Sequence, residues 1–359
     1  MSAEVPKDLY PVMKANLDLV PGLDVYIREI QESGIYSNFG PQVTRLEQEY
    51  SVFYGVPQDQ VVSASNATVA LTGAMLVLKC ESWLVPSWTF AATAHAAQSS
   101  NQVFSFGDVN NNSWILNPNP ESGRAGAVVT APFGSKITIG REWNAFEAIL
   151  IDAAAAIAEA PVISQELELP WAVVYSLHAT KILGVGEGAM VVFSNPELAR
   201  AFRVWSNFGF SGSRNSMISG TNAKMSEIHG AIGRHRLSNW DNERKEWLNA
   251  RKLVHKIGSE FGINPIFSHE EWISPYWVVR FNSKKLKEEV RIQLQIAGFD
   301  TRDWWESGCH TMPAFSGVPV IANLNHSNAI AETTLGLPFG RKIDEETVNA
   351  ISKVIERLL

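Results

Sequence analysis

Between about residues 60 and 195 the chain carries seven short apolar runs: Val61–Ala64, Trp83–Val85, Val103–Phe106, Ala127–Thr130, Ala148–Ile151, Val173–Ser176 and Ala189–Phe193. Several are continuous rather than alternating. A strand that is apolar on both sides must be covered on both sides, which is the condition of strands in a mostly parallel sheet. Helical patterns lie between the runs, so the expected unit is a three-layer α/β domain.

After Lys224 the pattern changes. Met225, Ile228, Ala231 and Ile232 mark one helical face, and Asn239 to Lys256 reads as a long charged helix bridging to a second unit. There Trp277–Phe281 reads as a strand, Lys284–Ala297 as a helix stopped by Gly298, and Glu345–Leu359 as a closing helix. The expected division is 1–240 for the large domain and 241–359 for a small C-terminal one, with the N-terminal segment free to pack on the small domain.

At 359 residues there is enough chain for both units. The formal net charge of −7 gives no bulk positive field for nucleic acid. Cys80 and Cys309 are the only cysteines, which argues against a disulfide framework and fits a reducing compartment, and no zinc-like Cys/His spacing occurs. Met1 to Lys14 lacks an apolar run after a basic start, so no signal peptide is expected. The most apolar window, Ala148 to Ile163, is broken by Asp152, Glu159 and Pro161, so no membrane helix is expected either. These features point to a soluble cytoplasmic protein.

In open α/β sheets, ligands bind beyond the carboxyl ends of the strands, so the residues just past each strand matter most. Ser65-Asn66-Ala67-Thr68 opens a helical run and leaves free N–H groups at a positive dipole end, suited to a phosphate; the same residues also serve as an ordinary helix cap. Trp88 or Phe90 in Pro86-Ser87-Trp88-Thr89-Phe90 suits either a flat ring or the core. Asp152 ends a fully apolar strand, where an unpaired carboxylate is costly; it needs a cationic partner or a helix to cap, and four alanines come after it. Lys181 sits before Gly184-Val185-Gly186-Glu187-Gly188 in an otherwise apolar loop. Desolvation frees such an amine for imine chemistry, and the glycines admit a ligand close to the backbone; a surface turn is the alternative. His95 and His178 read as structural.

In order along the chain, Tyr36 to Pro41, Leu46-Glu47, Tyr54-Gly55-Val56, Asn66 to Leu71, Pro86 to Thr93, Asp152-Ala153-Ala154, Ser176 to Lys181, Gly186-Glu187-Gly188, Thr221 to Glu227 and Leu337-Pro338 resemble the DegT/DnrJ/EryC1/StrS family of sugar aminotransferases. The resemblance implies a fold type I pyridoxal 5'-phosphate (PLP) aminotransferase. That fold has a large three-layer α/β/α domain with a mixed seven-stranded sheet, plus a smaller α+β C-terminal domain, and works as a homodimer with shared sites. It further implies that Lys181 carries the cofactor as an imine and that Asp152 pairs with the pyridine nitrogen. Phe90 would stack on the ring, while Ala67, Thr68 and Ser176 would hold the phosphate. Asn222 would reach the phosphate of the neighbouring subunit.

Three departures stand out: Ala67 where glycine is usual, Lys224 where arginine is common, and Ala189 where glycine is common. At a fourth, Ala155, the family often has glutamine or histidine near the ring hydroxyl, a contact alanine cannot make. The implied reaction takes an amino group from L-glutamate, through pyridoxamine phosphate with release of 2-oxoglutarate, to a nucleotide-linked keto sugar. Asp300 to Trp305, His310 and Pro313-Ala314-Phe315 resemble members that aminate C4 of dTDP-4-keto-6-deoxyglucose. In that reading Trp304 and Trp305 face a base or sugar, Arg302 a diphosphate or carboxylate, and His310 completes the segment; a packed domain edge is the alternative. A PLP-dependent sugar dehydratase of the same family is disfavoured by lysine at 181, where such members carry histidine. A non-catalytic regulator is disfavoured by the intact Lys181, Asp152 and Ser176, and a nicotinamide oxidoreductase by the lack of a strand-linked G-x-G-x-x-G.

Overall fold

A computed structural model describes residues 8–15, 17, 21–118, 125–267, 273–321 and 323–359. Residues 1–7 of the N-terminal stretch considered for a leader lie outside that set. In chain order the elements are α1 (Leu23–Ser33), α2 (Pro41–Tyr54), β1 (Val61–Ala64), α3 (Ala67–Leu78), β2 (Ser82–Pro86), α4 (Ala91–Ser99), β3 (Val103–Gly107), β4 (Gly126–Thr130), β5 (Thr138–Ile139), β6 (Ile149–Asp152), β7 (Val162–Ile163), β8 (Trp171–Ser176), β9 (Ala189–Phe193), α5 (Pro196–Trp205), α6 (Glu227–Ser238), α7 (Trp240–Glu260), β10 (Trp277–Arg280), α8 (Lys284–Ile296), α9 (Asn325–Thr333), β11 (Thr334–Leu337) and α10 (Glu345–Glu356).

All seven expected strands form one mixed sheet in the order β1-β9-β8-β6-β4-β2-β3. From β3 to β8 the neighbours run parallel, while β9 is antiparallel to both β8 and β1. The apolar runs are continuous because the two faces bury alternate residues. Ala127, Val129, Ile149, Ile151, Val173 and Val192 belong to one core. Val62, Val85, Val128, Leu150, Val174, Val191 and Phe193 belong to the other, packed with Leu71 and Met75 of α3, Ala97 of α4 and Phe202 of α5. At roughly 1.5–3 kcal/mol for each fully buried aliphatic side chain, this double burial dominates the stability of the sheet.

The first core runs on into the C-terminal part, where Trp247 and Val254 of α7, Trp277 of β10, Val290 of α8, Leu335 of β11 and Ile351 of α10 join it. β10 and β11 pair antiparallel, with Trp277 opposite Leu337. The N-terminal segment packs there too: Tyr10 bridges Phe299, and the Phe339 N–H donates to Val12 O at 3.1 Å. No described helix is long and apolar enough to cross a membrane.

The alanines after Asp152 do not form a helix. Ala153 to Ala156 is a turn closed by Ala156 N–H to Ala153 O at 2.8 Å, and Ala153, Ala156 and Ile157 are buried under the sheet edge. Small side chains favour a helix only where its backbone can continue, and Pro161 and Pro170 restrict the backbone downstream. The link from β6 to β8 therefore holds only the short strand β7 among its described residues.

A buried carboxylate ties two helix starts together. Glu227, fully buried at the start of α6, accepts the N–H groups of Gln42 (2.6 Å) and Val43 (3.1 Å) in the first turn of α2. Those donors have no partner within their own helix, and the dipole there favours a negative charge. Gly40 makes room: a Cβ at that position would lie 2.6 Å from Ile35 and 2.7 Å from the Glu227 carboxyl carbon. Gly40-Pro41 and Glu227, far apart in sequence, thus serve one joint.

Candidate active site

The register of the sheet lines up the functional candidates along its carboxyl edge. Ala64, which precedes the loop into α3, pairs with Ala189, and Ala189 pairs with Ser176. Asp152 pairs with Val174 on one side and Thr130 on the other. Because β9 runs backwards, the Gly186-Glu187-Gly188 stretch that precedes it reaches this same edge.

Asp152 is buried, and its two oxygens are held by different donors: Thr93 Oγ1 to Oδ2 at 2.6 Å and the Ala154 N–H to Oδ1 at 3.1 Å. A chain of hydroxyls continues from Thr93 to Thr89 (2.9 Å) and on to Thr130 (3.0 Å). Burial raises the carboxyl pKa above its ordinary value, while the Thr93 and Ala154 hydrogen bonds and the positive charge of Lys181 act against that rise. The carboxylate is thus oriented by two donors and is within the field of the lysine. A cation facing it would favour its charged form further.

Lys181 lies in a loop that prolongs the β8–β9 ladder. Leu177 N–H donates to Gly188 O (2.8 Å), Val185 N–H to Leu177 O (2.7 Å) and Ala179 N–H to Gly186 O (2.8 Å). Lys181 N–H bonds His178 O at 2.8 Å, which turns the loop around the lysine. At Gly184 a Cβ would lie 2.4 Å from His178 O, so only glycine permits this turn. Arg236, 1% exposed at the end of α6, grips the loop from below through Gly184 O (2.6 Å) and Ile182 O (2.7 Å). Glu243 of α7 pairs with Arg236 and also lies 3.3 Å from Arg341. The Lys181 amine donates to the hydroxyl of Tyr276, 2.7 Å away, just before β10.

At the other end, Asn66 caps α3: its Oδ1 accepts Val69 N–H at 2.9 Å and its carbonyl accepts Ala70 N–H at 3.1 Å. The cap reading is therefore correct, and it leaves the N–H groups of Ala67 and Thr68 aimed out of the helix as an anion cradle. Ser176 is buried beside it, its hydroxyl accepting His178 N–H at 3.2 Å. Ser65 N–H donates to Ala223 O at 2.7 Å, which brings the 221–224 segment next to this cradle. Asn222 itself is exposed. His178 bonds Thr180 Oγ1 at 2.9 Å, in keeping with a structural role.

The remaining candidates form an aromatic wall. Trp305 stacks on Phe133 (4.6 Å between ring centres, 6° between planes) and meets Trp88 edge-on at 5.1 Å. Trp304 lies edge-on to Tyr276 at 5.0 Å, with the Arg302 guanidinium 5.2 Å from its ring centre. Both tryptophans are half-buried, so the packed-edge alternative accounts for their contacts within this chain. His310 meets Ser87 Oγ at 2.5 Å, and burial lowers its pKa against the opposing pull of Asp108. Phe90, in contrast, stands 61% exposed just ahead of α4 with its ring free for a ligand. Ala155 joins the same buried cluster as Trp88, Phe133 and Tyr276, so that part of the wall is apolar. Sequence reasoning missed Tyr276, Thr93 and Arg236. Thr93 had a signal, one helical turn after Thr89, but Tyr276 and Arg236 had none.

An amine, an oriented buried acid, an N–H-rich helix start and an open aromatic ring along one sheet edge fit a flat, anionic aldehyde such as PLP. Among the described residues, no group of histidine, cysteine or acidic side chains is placed to hold a metal ion.

Comparison with known proteins agrees with that fit. The family model described as the DegT/DnrJ/EryC1/StrS aminotransferase family matches residues 23–124 and 140–356. The chain is 30% identical over 234 residues to Protein Rv3402c of Mycobacterium tuberculosis H37Rv, covering 59% of this chain and 56% of that protein, little more than half its length. It is 23% identical over 364 residues to the dTDP-4-amino-4,6-dideoxy-D-glucose transaminase of Shigella dysenteriae, covering 97% and 98% of the two chains. A solved Bacillus cereus protein, provisionally assigned as a PLP-dependent aminotransferase, superposes with a TM-score of 0.86 at 26% identity, covering 97% of this chain and all of that one.

Proposed function

The chain belongs to the DegT/DnrJ/EryC1/StrS aminotransferase family, and on that premise we propose that it moves an amino group from L-glutamate to the keto group of a nucleotide-linked 6-deoxy sugar. The observation that carries this reading is Asp152, buried and oriented by Thr93 and Ala154 at the sheet edge that the Lys181 loop also prolongs. PLP, when bound, supplies a ring that accepts the electron pair of a carbon–hydrogen bond. Asp152 holds a proton on the ring nitrogen. Lys181 Nζ first fixes the cofactor, then takes and returns a proton at the reacting carbons as base and acid. The N–H groups of Ala67 and Thr68, with Ser176, bind the phosphate, and Phe90 covers the ring face.

The proposed sugar is dTDP-4-keto-6-deoxyglucose, aminated at C4. Its support is the Asp300–Trp305 segment and the near full-length likeness to the Shigella transaminase. The proposed working form is a homodimer with shared sites. Exposed Asn222 and the exposed Phe208, Met217 and Ile218 beside it on the 208–218 loop support that, since a partner would cover them. We also propose that residues 1–240 and 241–359 are separate domains, with Arg302, Trp304, Trp305 and His310 the small domain's contribution to sugar binding.

The test is direct. Purified protein given PLP should gain the imine absorbance band, lose it with L-glutamate, and aminate one member of a panel of keto-sugar nucleotides. Absence of any amino transfer across dTDP-, UDP- and GDP-linked 3-keto and 4-keto sugars would overturn the reading.

A further inference from the structure

We propose that Tyr276 is the positioning residue for the Lys181 amine, giving it a fixed place whenever it is not bonded to the cofactor. This rests on the role proposed for Lys181 in amino transfer. The Lys181 Nζ–H donates to the Tyr276 hydroxyl at 2.7 Å, although the two residues are 95 positions apart in the chain. The amine also lies 5.3 Å from the centre of the Tyr276 ring.

The phenol cannot easily move. It is 8% exposed, and its ring is wedged edge-on between Phe133 (5.4 Å) and Trp304 (5.0 Å). The Tyr276 backbone N–H donates to Ser274 Oγ (3.2 Å), and the Ser274 hydroxyl donates in turn to Phe133 O (2.6 Å). Phe133 holds a left-handed backbone (φ 54°), uncommon for an aromatic residue, and that Ser274 bond helps to hold it there. One serine therefore joins the backbone of the tyrosine to the backbone of the ring it packs against.

The choice of a phenol has a chemical reason. An amine that works as base and acid alternates between a neutral and a protonated form. A tyrosine hydroxyl can accept from the ammonium and donate to the free amine while staying neutral itself. A carboxylate at that point would hold the lysine as ammonium, and a phenylalanine would leave it without an anchor.

The test needs neither cofactor nor substrate. The pH dependence of Lys181 acetylation in the cofactor-free protein, followed by peptide mass spectrometry, gives the titration midpoint of this one amine. The bond from the charged ammonium is the stronger of the two, so Tyr276→Phe removes more support from the ammonium than from the free amine and should lower the midpoint by about 1 pH unit. Tyr276→Gln, which returns an acceptor, should recover at least half of that shift. In the holoenzyme, Tyr276→Phe should lower kcat roughly tenfold to a hundredfold with KM for the keto sugar almost unchanged. An unaltered midpoint in Tyr276→Phe would overturn the proposal. Should that variant not fold, a Tyr276→Gln midpoint a full unit below wild type would do the same. Because the titration is read without turnover, it stands apart from the substrate panel, and either result can fail without the other.

Discussion

The two walls of the site are built on different physics. On the lysine side, polar groups fix every position: Asp152 is held by Thr93 and Ala154, and the Lys181 loop by Arg236 backed by Glu243. On the other side the work is done by rings, from both parts of the chain. Trp88, Phe133, Tyr276, Trp304 and Trp305 pack on one another, and the indole N–H groups of Trp88 and Trp304 find no partner among the described residues. A buried hydrogen-bond network has one good arrangement and is costly to leave half made. Ring packing is worth area and tolerates exchange. The contrast teaches that polar bonds pin the acid and the lysine loop on one wall, while the other, Tyr276 apart, is free to be reshaped for a different substrate.

That contrast can be broken or sharpened by mutation. Lys181→Ala should remove turnover by at least about 10⁴-fold and abolish the imine absorbance band, as read by steady-state kinetics and absorbance. Asp152→Asn should still take up PLP but lose roughly 10³-fold in kcat. The same variant, free of cofactor, should be no less stable than wild type at pH 7. Burial raises the Asp152 pKa, so the stability it contributes is present below the ordinary carboxylate range and lost as pH rises through the raised value. A urea series at pH 4 and 7 should show the advantage of asparagine growing with pH.

Glu243→Ala should cost about 3 kcal/mol in urea unfolding, because it leaves Arg236 buried beneath the Lys181 loop without its acid. Trp305→Ala, on the aromatic wall, should cost only about 2 kcal/mol and raise KM for the sugar more than it lowers kcat. If Trp305→Ala proved as damaging as Glu243→Ala, the distinction between the walls would fail. The smallest effect concerns His310. Burial lowers its pKa, so its contribution to stability is present above the ordinary histidine value and fades as pH falls through the lowered one. His310→Gln should therefore lose slightly less stability than wild type between pH 7.5 and 5.5, measured as the shift in urea midpoint.

Much of the first wall was legible in the sequence. The strands declared themselves because burial on both faces demands unbroken apolar runs, and a polar residue at the end of such a run, as at Asp152 and Ser176, marks the edge where the candidate groups gather. The alanines after Asp152 misled, since their helix propensity was overridden by packing under the sheet. The second wall was legible only in part: Trp88, Trp304 and Trp305 stood out as aromatic candidates, but the residues that join them did not. Ser274-Pro275-Tyr276 shows no local pattern, and the Tyr276 contact to Lys181 is made only by the fold. Arg236 carries no local signal of its role, yet it is among the most buried side chains described.

The ladder bonds that extend β8 and β9 around Lys181 bear on how this protein can vary. With Leu177 tied to Gly188 and Ala179 to Gly186, Lys181 is carried at the tip of a hairpin closed by those rungs. Adding or deleting one residue inside those rungs would break the turn bonds from Lys181 N–H to His178 O and from Gly184 N–H to Lys181 O and displace the amine from the sheet edge, so length changes must be absorbed elsewhere on the sheet's rim.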